Sequence, residues 1–417
     1  MIAGAASEAD AATPKCFGKK KTKTHVNSDG VILGTKGNDV IVGTNGNDVI
    51  AGKGGHDLIC GLGGNDYVYD FKGNDKINGG PGEDKIDFQL SAKGVTANLG
   101  AGTAAGGAGT DVIKGFEDLV GTNFKDRLTG SADGNLMAGL GGNDVMNGGA
   151  GLDILEGSGG NDTLNGGTPA EGETTNDIAW YHQSFADNGP ESAVTVDLGT
   201  GTATGGAGTD TLTNIAGIVG SKFNDTLTGN GSSNFILGME GDDTIDGGGI
   251  QSQQNFDEAI YWFAKSAVTV NLQTGKTSGG DDIDTLSNIS GAYGSNDWAD
   301  TLIGDQENNY LDAAGVKAGV TATESISGGN GDDWMVANSS NENFDGGPGT
   351  YDLVDYQNDF TDGVTVNLAT GSASGYGTDT LTGVEAAQGT LFEDHLTGDN
   401  NVNYFFGWIG NETIVGG

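Results

Sequence analysis

Positive charge is scarce in this sequence: 18 Lys plus Arg stand against 58 Asp plus Glu, a formal charge of −40 at pH 7. The single arginine is Arg127, and beyond it come only Lys222, Lys265, Lys276 and Lys317. That shortage makes nucleic acid and anionic membrane surfaces poor partners. It also disfavours an enzyme acting on acidic polysaccharides, which needs cations to hold the substrate carboxylates. Proline is rare, at 5 residues, and the 79 glycines follow no Gly-X-Y triplet, which excludes collagen. No apolar window of 18 residues occurs, so no transmembrane segment is expected. Histidine is limited to His25, His56, His182 and His395, with no shared spacing. No Gly-x-Ser-x-Gly sits between a strand and a helix, and no glycine run leads into Lys-Ser or Lys-Thr. Catalysis is therefore not expected. Two cysteines, Cys16 and Cys60, are too few for a disulfide scaffold and match no zinc spacing.

What the chain has in excess is a period. From Gly34 it reads GTKGNDVIV, GTNGNDVIA, GKGGHDLIC, GLGGNDYVY, DFKGNDKIN and GGPGEDKID, six contiguous nonapeptides over residues 34–87. Position 4 is always glycine (Gly37, Gly46, Gly55, Gly64, Gly73, Gly82). Position 6 is always aspartate: Asp39, Asp48, Asp57, Asp66, Asp75 and Asp84. Position 8 is always Ile or Val: Ile41, Ile50, Ile59, Val68, Ile77 and Ile86. Glycine at position 4 is expected to take positive φ and curl the turn. The three residues after the aspartate form a short strand whose middle side chain points inward.

Two nonapeptides then complete one coil, which brings carboxylates 18 residues apart into register. Coils stack roughly 4.8 Å apart. Bare carboxylates at that spacing repel by about 3 kcal/mol at an effective dielectric of ~20. A cation accepting six to eight oxygens, about 2.4 Å away, converts that penalty into a site, and this describes calcium better than magnesium. A merely halophilic surface would not place its aspartates at a fixed period.

The blocks match GGxGxDxUx, and the chain resembles the haemolysin-type, or repeat-in-toxin (RTX), calcium-binding proteins, close to the secreted actinomycete type. The resemblance implies an all-β, right-handed parallel β-roll with calcium between stacked turns. It also implies that Asp39, Asp48, Asp57, Asp66, Asp75 and Asp84 are side-chain ligands, each bridging two ions.

Beyond residue 87 a longer unit occurs four times, marked by Val95–Leu99, Val194–Leu198, Val268–Leu272 and Val364–Leu368. Alternation within these runs predicts half-buried strands. Each is followed by a glycine-rich turn and a shared aspartate: Asp111, Asp210, Asp284 and Asp379. Nonapeptides then resume, adding Asp126, Asp144, Asp153, Asp162, Asp225, Asp243, Asp333 and Asp394 to the expected metal ligands, with Asp300 and Glu412 at equivalent positions. Asn135, Asn234, Asn309 and Asn403 take the aspartate position elsewhere, and sites involving Asn135, Asn234 or Asn403 are expected to be weaker or absent. Phe124, Phe223, Trp298 and Phe392 replace the turn glycine in the first repeat after each long unit, which predicts turns without an ion. We read them, and the recurring Phe88, Tyr181, Tyr261 and Tyr356, as packing plugs.

The expected organisation is a leader (1–33), a regular roll (34–87) and four β-helix units with nonapeptides: 88–167, 168–249, a degraded 250–347, and 348–417. Ala9-Asp10-Ala11-Ala12 resembles the end of an export signal, and Gly416-Gly417 begins a further nonapeptide, so both termini suggest truncation. Cys16 and Cys60 are expected to form a disulfide tying leader to roll, free thiols being the alternative, and that bond requires an oxidising compartment. Lys19, Lys20, Lys21 and Lys23 suit either an anionic wall polymer or plain solvation. The expected protein is a secreted, monomeric, non-catalytic calcium binder with a structural or adhesive role. The alternatives are a module of a polysaccharide epimerase or lyase and a surface-binding array. The last lacks a flat threonine ladder.

Overall fold

The computed structural model describes residues 15–417 apart from 23–24, 70–71, 108, 169–175, 183–188, 250–255, 281, 317–321, 358–361 and 376. The signal-like residues 9–12 lie outside the described residues. The described residues form strands and turns with no α-helix. The chain divides into two compact units, 1–177 and 178–417.

In the first unit, Val40–Val42, Leu58–Cys60 and Lys76–Asn78 stack in parallel as one sheet. Ile32–Leu33, Val49–Ala51, Tyr67–Tyr69 and Lys85–Asp87 stack as a second. The register places Ile41 on Ile59 on Ile77, and Ile50 on Val68 on Ile86. All six are fully buried, because only the middle residue of a three-residue strand points between the sheets. Each buried side chain of this size contributes about 1.5–3 kcal/mol. The residues before and after it lie on the opposite face of the strand, which keeps this core one side chain thick.

The long unit enlarges one sheet only. Thr110–Lys114 lies parallel on Lys76–Asn78, then Thr103–Gly106 and Val95–Asn98 follow antiparallel. Val95–Asn98 in turn lies parallel to Arg127–Thr129, where the nonapeptide stack resumes. On the other sheet Lys85–Asp87 pairs directly with Asp118–Thr122. Each insertion thus adds a hairpin to one face, with Val95, Ala97 and Ala104 turned inward as the alternation predicts. The second unit repeats the arrangement with Val194–Asp197, Val268–Asn271 and Thr365–Asn367, each antiparallel to the strand after it and parallel to the next nonapeptide strand.

Cys16 and Cys60 are joined in a disulfide, their Cα atoms 5.6 Å apart, and both pack with Val42 in a small core of their own. A closed loop of 44 residues stabilises the fold by about 4 kcal/mol through the unfolded chain. Cys16→Ser is therefore expected to lower the thermal midpoint and expose the 15–22 segment to protease. A midpoint equal to wild type would contradict this.

Candidate metal centre

The stacked aspartates form hydrogen-bonded ladders. Each carboxylate accepts, through Oδ1, the backbone N–H of the residue one coil earlier. Asp39 N–H donates to Asp57 at 2.8 Å and Asp57 N–H to Asp75 at 2.7 Å. On the other edge Asp48 N–H donates to Asp66 and Asp66 N–H to Asp84. The pattern returns at Asp126–Asp144–Asp162, Asn135–Asp153, Asp225–Asp243 and Asn309–Asp333. Oδ1 is thereby fixed by the main chain, and the fate of Oδ2 separates two kinds of turn.

In the first kind, position 2 is Thr or Ser. Its hydroxyl accepts the position-4 N–H and donates to the position-6 carboxylate, a local side-chain turn. Thr35 accepts from Gly37 and donates to Asp39; Thr44 does the same between Gly46 and Asp48. Thr122, Ser221 and Thr390 repeat it with Asp126, Asp225 and Asp394, and Ser295 donates to Asp300. Backbone N–H groups of Val95, Val194, Val268 and Val364 donate to Oδ1 of those four aspartates, and the position-2 N–H donates to Oδ2. Expected ligands Asp39, Asp48, Asp126, Asp225 and Asp394 therefore already have donors from their own chain. The positive φ expected at every position-4 glycine is corrected here: Gly37 and Gly46 do not adopt it, because the threonine turn replaces the left-handed one.

The second kind lacks that hydroxyl turn and has left-handed residues at positions 2 and 4. Lys53 and Gly55, Leu62 and Gly64, Leu140 and Gly142, and Met239 and Gly241 all have φ between 71° and 132°. Four large side chains held there store strain that a functional turn explains. Among the described residues, the Oδ2 atoms of Asp57, Asp66, Asp75, Asp84, Asp144, Asp153, Asp243 and Asp333 are buried with no hydrogen-bond partner. A buried carboxylate oxygen without a donor costs several kcal/mol unless a proton or cation satisfies it.

Burial, followed by repulsion between neighbours in the stack, pushes these groups up: Asp57 and Asp84 to about 6, Asp153 and Asp333 to about 7, Asp144 to about 8, Asp243 to about 9. Within the described residues no three acidic, His or Cys side chains converge. The remaining ligands of an ion must then be backbone oxygens, which the stacked turns supply: the space left by a Cβ at Gly61 is bounded by Asp66 Oδ2 and the Gly79 carbonyl. Hard oxygen donors with no nitrogen or sulfur among them fit calcium.

Several ladder residues escaped the periodic reading. Asp75 N–H donates to Asp111, 36 residues on, and Asp84 N–H to Glu117. Asp153 N–H donates to Asp177, Asp243 N–H to Asp284, Asp333 N–H to Asp352 and Glu342 N–H to Asp379. The signal was present in residues 106–114, GGAGTDVIK, a nonapeptide hidden inside the long unit. In the region read as degraded, Glu324 and Glu342 face each other across parallel strands, both fully buried. Ser340 donates to each, and Glu342, through burial and the Asp379 charge, rises to about 10. The aromatic plugs are also corrected. Phe124, Trp298 and Phe392 are 42–48% exposed, because the hydroxyl turn projects position 4 outward. Phe88, Tyr181 and Tyr356 are buried, as a packing role requires, but the tyrosines also hydrogen-bond.

The family model described as RTX calcium-binding nonapeptide repeat (4 copies) matches residues 33–68, 52–86, 120–155, 139–168, 219–249 and 319–353. No individual curated protein shows significant similarity to the chain. The last match spans the Glu324 and Glu342 strands, and the first four cover the left-handed turns described in the regular roll and in the stack after the first insertion. The chain is thus a parallel β-roll built on RTX calcium-binding nonapeptide repeats, similar to the haemolysin-type proteins, and its cofactor is Ca2+.

Proposed function

We propose that the protein is a secreted, non-catalytic calcium-binding solenoid with a structural or adhesive role, and that only its left-handed turns hold the ion. The ligands are then Asp57, Asp66, Asp75, Asp84, Asp144, Asp153, Asp162, Asp243 and Asp333 with turn carbonyls. Asp39, Asp48, Asp126, Asp225 and Asp394 act instead as caps that begin each stack. The observation behind this division is the set of buried Oδ2 atoms without a donor, absent among the described residues wherever a position-2 hydroxyl donates to the position-6 carboxylate; Ser158, at position 2 before Asp162, is itself left-handed and donates to Glu156 instead. When bound, calcium supplies neutralisation of stacked carboxylates and cross-links successive coils. Export fits this chemistry: millimolar calcium outside the cell saturates weak sites, and the disulfide persists in an oxidising compartment.

Counting ions by native mass spectrometry tests the division. Asp144→Asn is expected to bind at least one calcium fewer than wild type, and Asp126→Asn the same number. Equal losses from both, or from neither, would sink it.

One observation bears on a polysaccharide-handling reading. In the second unit a cavity of about 240 Å³ is lined by Met239, Ile260, Phe263, Lys265 and Asp282 among others. At its edge Glu240 contacts His182 at 2.8 Å and Lys265 at 2.9 Å. The Lys265 ammonium holds the Glu240 carboxyl below its usual range, so it is a fixed anion rather than a proton donor. That chemistry suits clamping a loop better than general acid catalysis.

A further inference from the structure

The four inserted aspartates are equivalent in sequence but not in surroundings. Phe88, Tyr181, Tyr261 and Tyr356 each lie four residues after a ladder aspartate: Asp84, Asp177, Asp257 and Asp352. Their backbones are held alike, each N–H donating to a carbonyl on the next strand of the same sheet: Val120, Val219, Tyr293 and Gln388. In three cases the phenol reaches the inserted aspartate. Tyr181 donates to Asp210 Oδ2 at 3.2 Å, Tyr261 to Asp284 Oδ2 at 2.9 Å, and Tyr356 to Asp379 Oδ2 at 3.0 Å. In the fourth the ring is Phe88, which has no hydroxyl, and the Oδ2 of Asp111 is buried without a hydrogen-bond partner.

Asp111 is only 2% exposed, and its Oδ1 accepts the Asp75 N–H at 2.9 Å, as in any coil of the ladder. Asp75 beside it also has a buried Oδ2 lacking a partner. The backbone matches the ion-type turns at position 4: Gly109 has φ +138° and bridges in parallel to Gly73, φ +143°. A Cβ on Gly109 would overlap the Gly73 carbonyl oxygen, so the two turns that carry Asp75 and Asp111 stack backbone on backbone with a main-chain oxygen between them. The matched repeat segments stop at residue 86 and resume at 120, leaving Asp111 outside them.

We propose that Asp111 and Asp75 form an additional calcium site, and that the Phe-or-Tyr choice ahead of each insertion decides whether its aspartate takes a cation or a phenol proton. A phenol O–H satisfies Oδ2 as a neutral donor and fills the space beside it. A phenylalanine ring leaves the oxygen to a cation. The residue at 88 is thus a specificity switch acting on a carboxylate 23 positions away.

The inference rests on the calcium assignment above, and one experiment separates the two. Calcium is counted by native mass spectrometry and by isothermal titration on the full chain, with far-UV circular dichroism as the control for folding. Phe88→Tyr and Asp111→Asn should each bind one ion fewer than wild type, with unchanged circular dichroism in calcium. Tyr261→Phe should bind one more, through Asp284. If Asp144→Asn loses an ion while Phe88→Tyr and Asp111→Asn lose none, the switch is wrong and the repeat assignment stands. If wild type binds no calcium, both fall.

Discussion

Removing calcium at pH 7.5 is expected to abolish most of the strand signal, and acid is expected to restore part of it. The inserted Asp111, like the repeat aspartates, is pushed up by burial and by a neighbouring carboxylate, to about 7. An unfolded aspartate titrates near 3.9. The folded chain therefore binds these protons more tightly than the unfolded chain. In calcium-free protein the stability they supply is full below about pH 4 and is lost as pH rises through the folded values, from about 6 at Asp57 to about 9 at Asp243.

A rise of about two units, as at Asp57, corresponds to roughly 3 kcal/mol once the group ionises. The same penalty recurs along the stack, so ionisation without calcium opposes the fold at several positions. Calcium displaces the protons and removes the penalty, so its affinity should fall as pH is lowered. Circular dichroism of dialysed protein at pH 7.5 and pH 5, with and without added calcium, checks all of this. A strand signal at pH 7.5 indifferent to calcium would refute the ion-driven fold. A calcium-free signal no stronger at pH 5 would refute the proton linkage.

The second large effect separates two glycines that the repeat treats as identical. Gly160 and Gly46 both stand at position 4. Gly160 has φ +154°, and a Cβ there would overlap the carbonyl oxygen of Gly142 in the coil below. Neither partner is a flexible side-chain end, so Gly160→Ala must push two backbones apart in a stack whose spacing is fixed by its hydrogen bonds. Gly46 has ordinary φ, and the nearest atom to its missing Cβ is the Thr44 hydroxyl at 3.8 Å. Gly160→Ala should cost more than ~3 kcal/mol, in the range of severe backbone and packing defects, and weaken calcium binding at Asp144 and Asp162. Gly46→Ala should stay within ~0.5 kcal/mol of wild type. Denaturant unfolding in saturating calcium measures both, and equal costs would disprove the two-turn distinction.

Much of this was legible because the contacts of a nonapeptide stack recur at a constant offset. Ile41, Ile59 and Ile77 are found one above another because 18 residues make a coil, and the aspartates follow the same count. Thr35 and Thr44 were visible too, but their effect was not. A hydroxyl at position 2 competes with the left-handed turn, and that outcome depends on hydrogen bonds to both Gly46 and Asp48 at once. The exposed Phe124 and Phe392 follow from the same turn, which points outward a side chain that hydrophobicity alone would place inside.

The sequence by itself determined the period, the parallel roll, the thin Ile and Val core and the calcium chemistry, because each depends only on neighbours at fixed spacing. Tertiary structure decided the rest. Asp111 stacks on Asp75 only because the two inserted strands, which precede it in sequence, lie on its far side in the sheet. Its lone oxygen, set against the phenol-bonded Asp210, Asp284 and Asp379, depends on one ring 23 residues upstream. No periodic count contains that distance, since it is set by how a hairpin folds over a core and not by the rise of a coil.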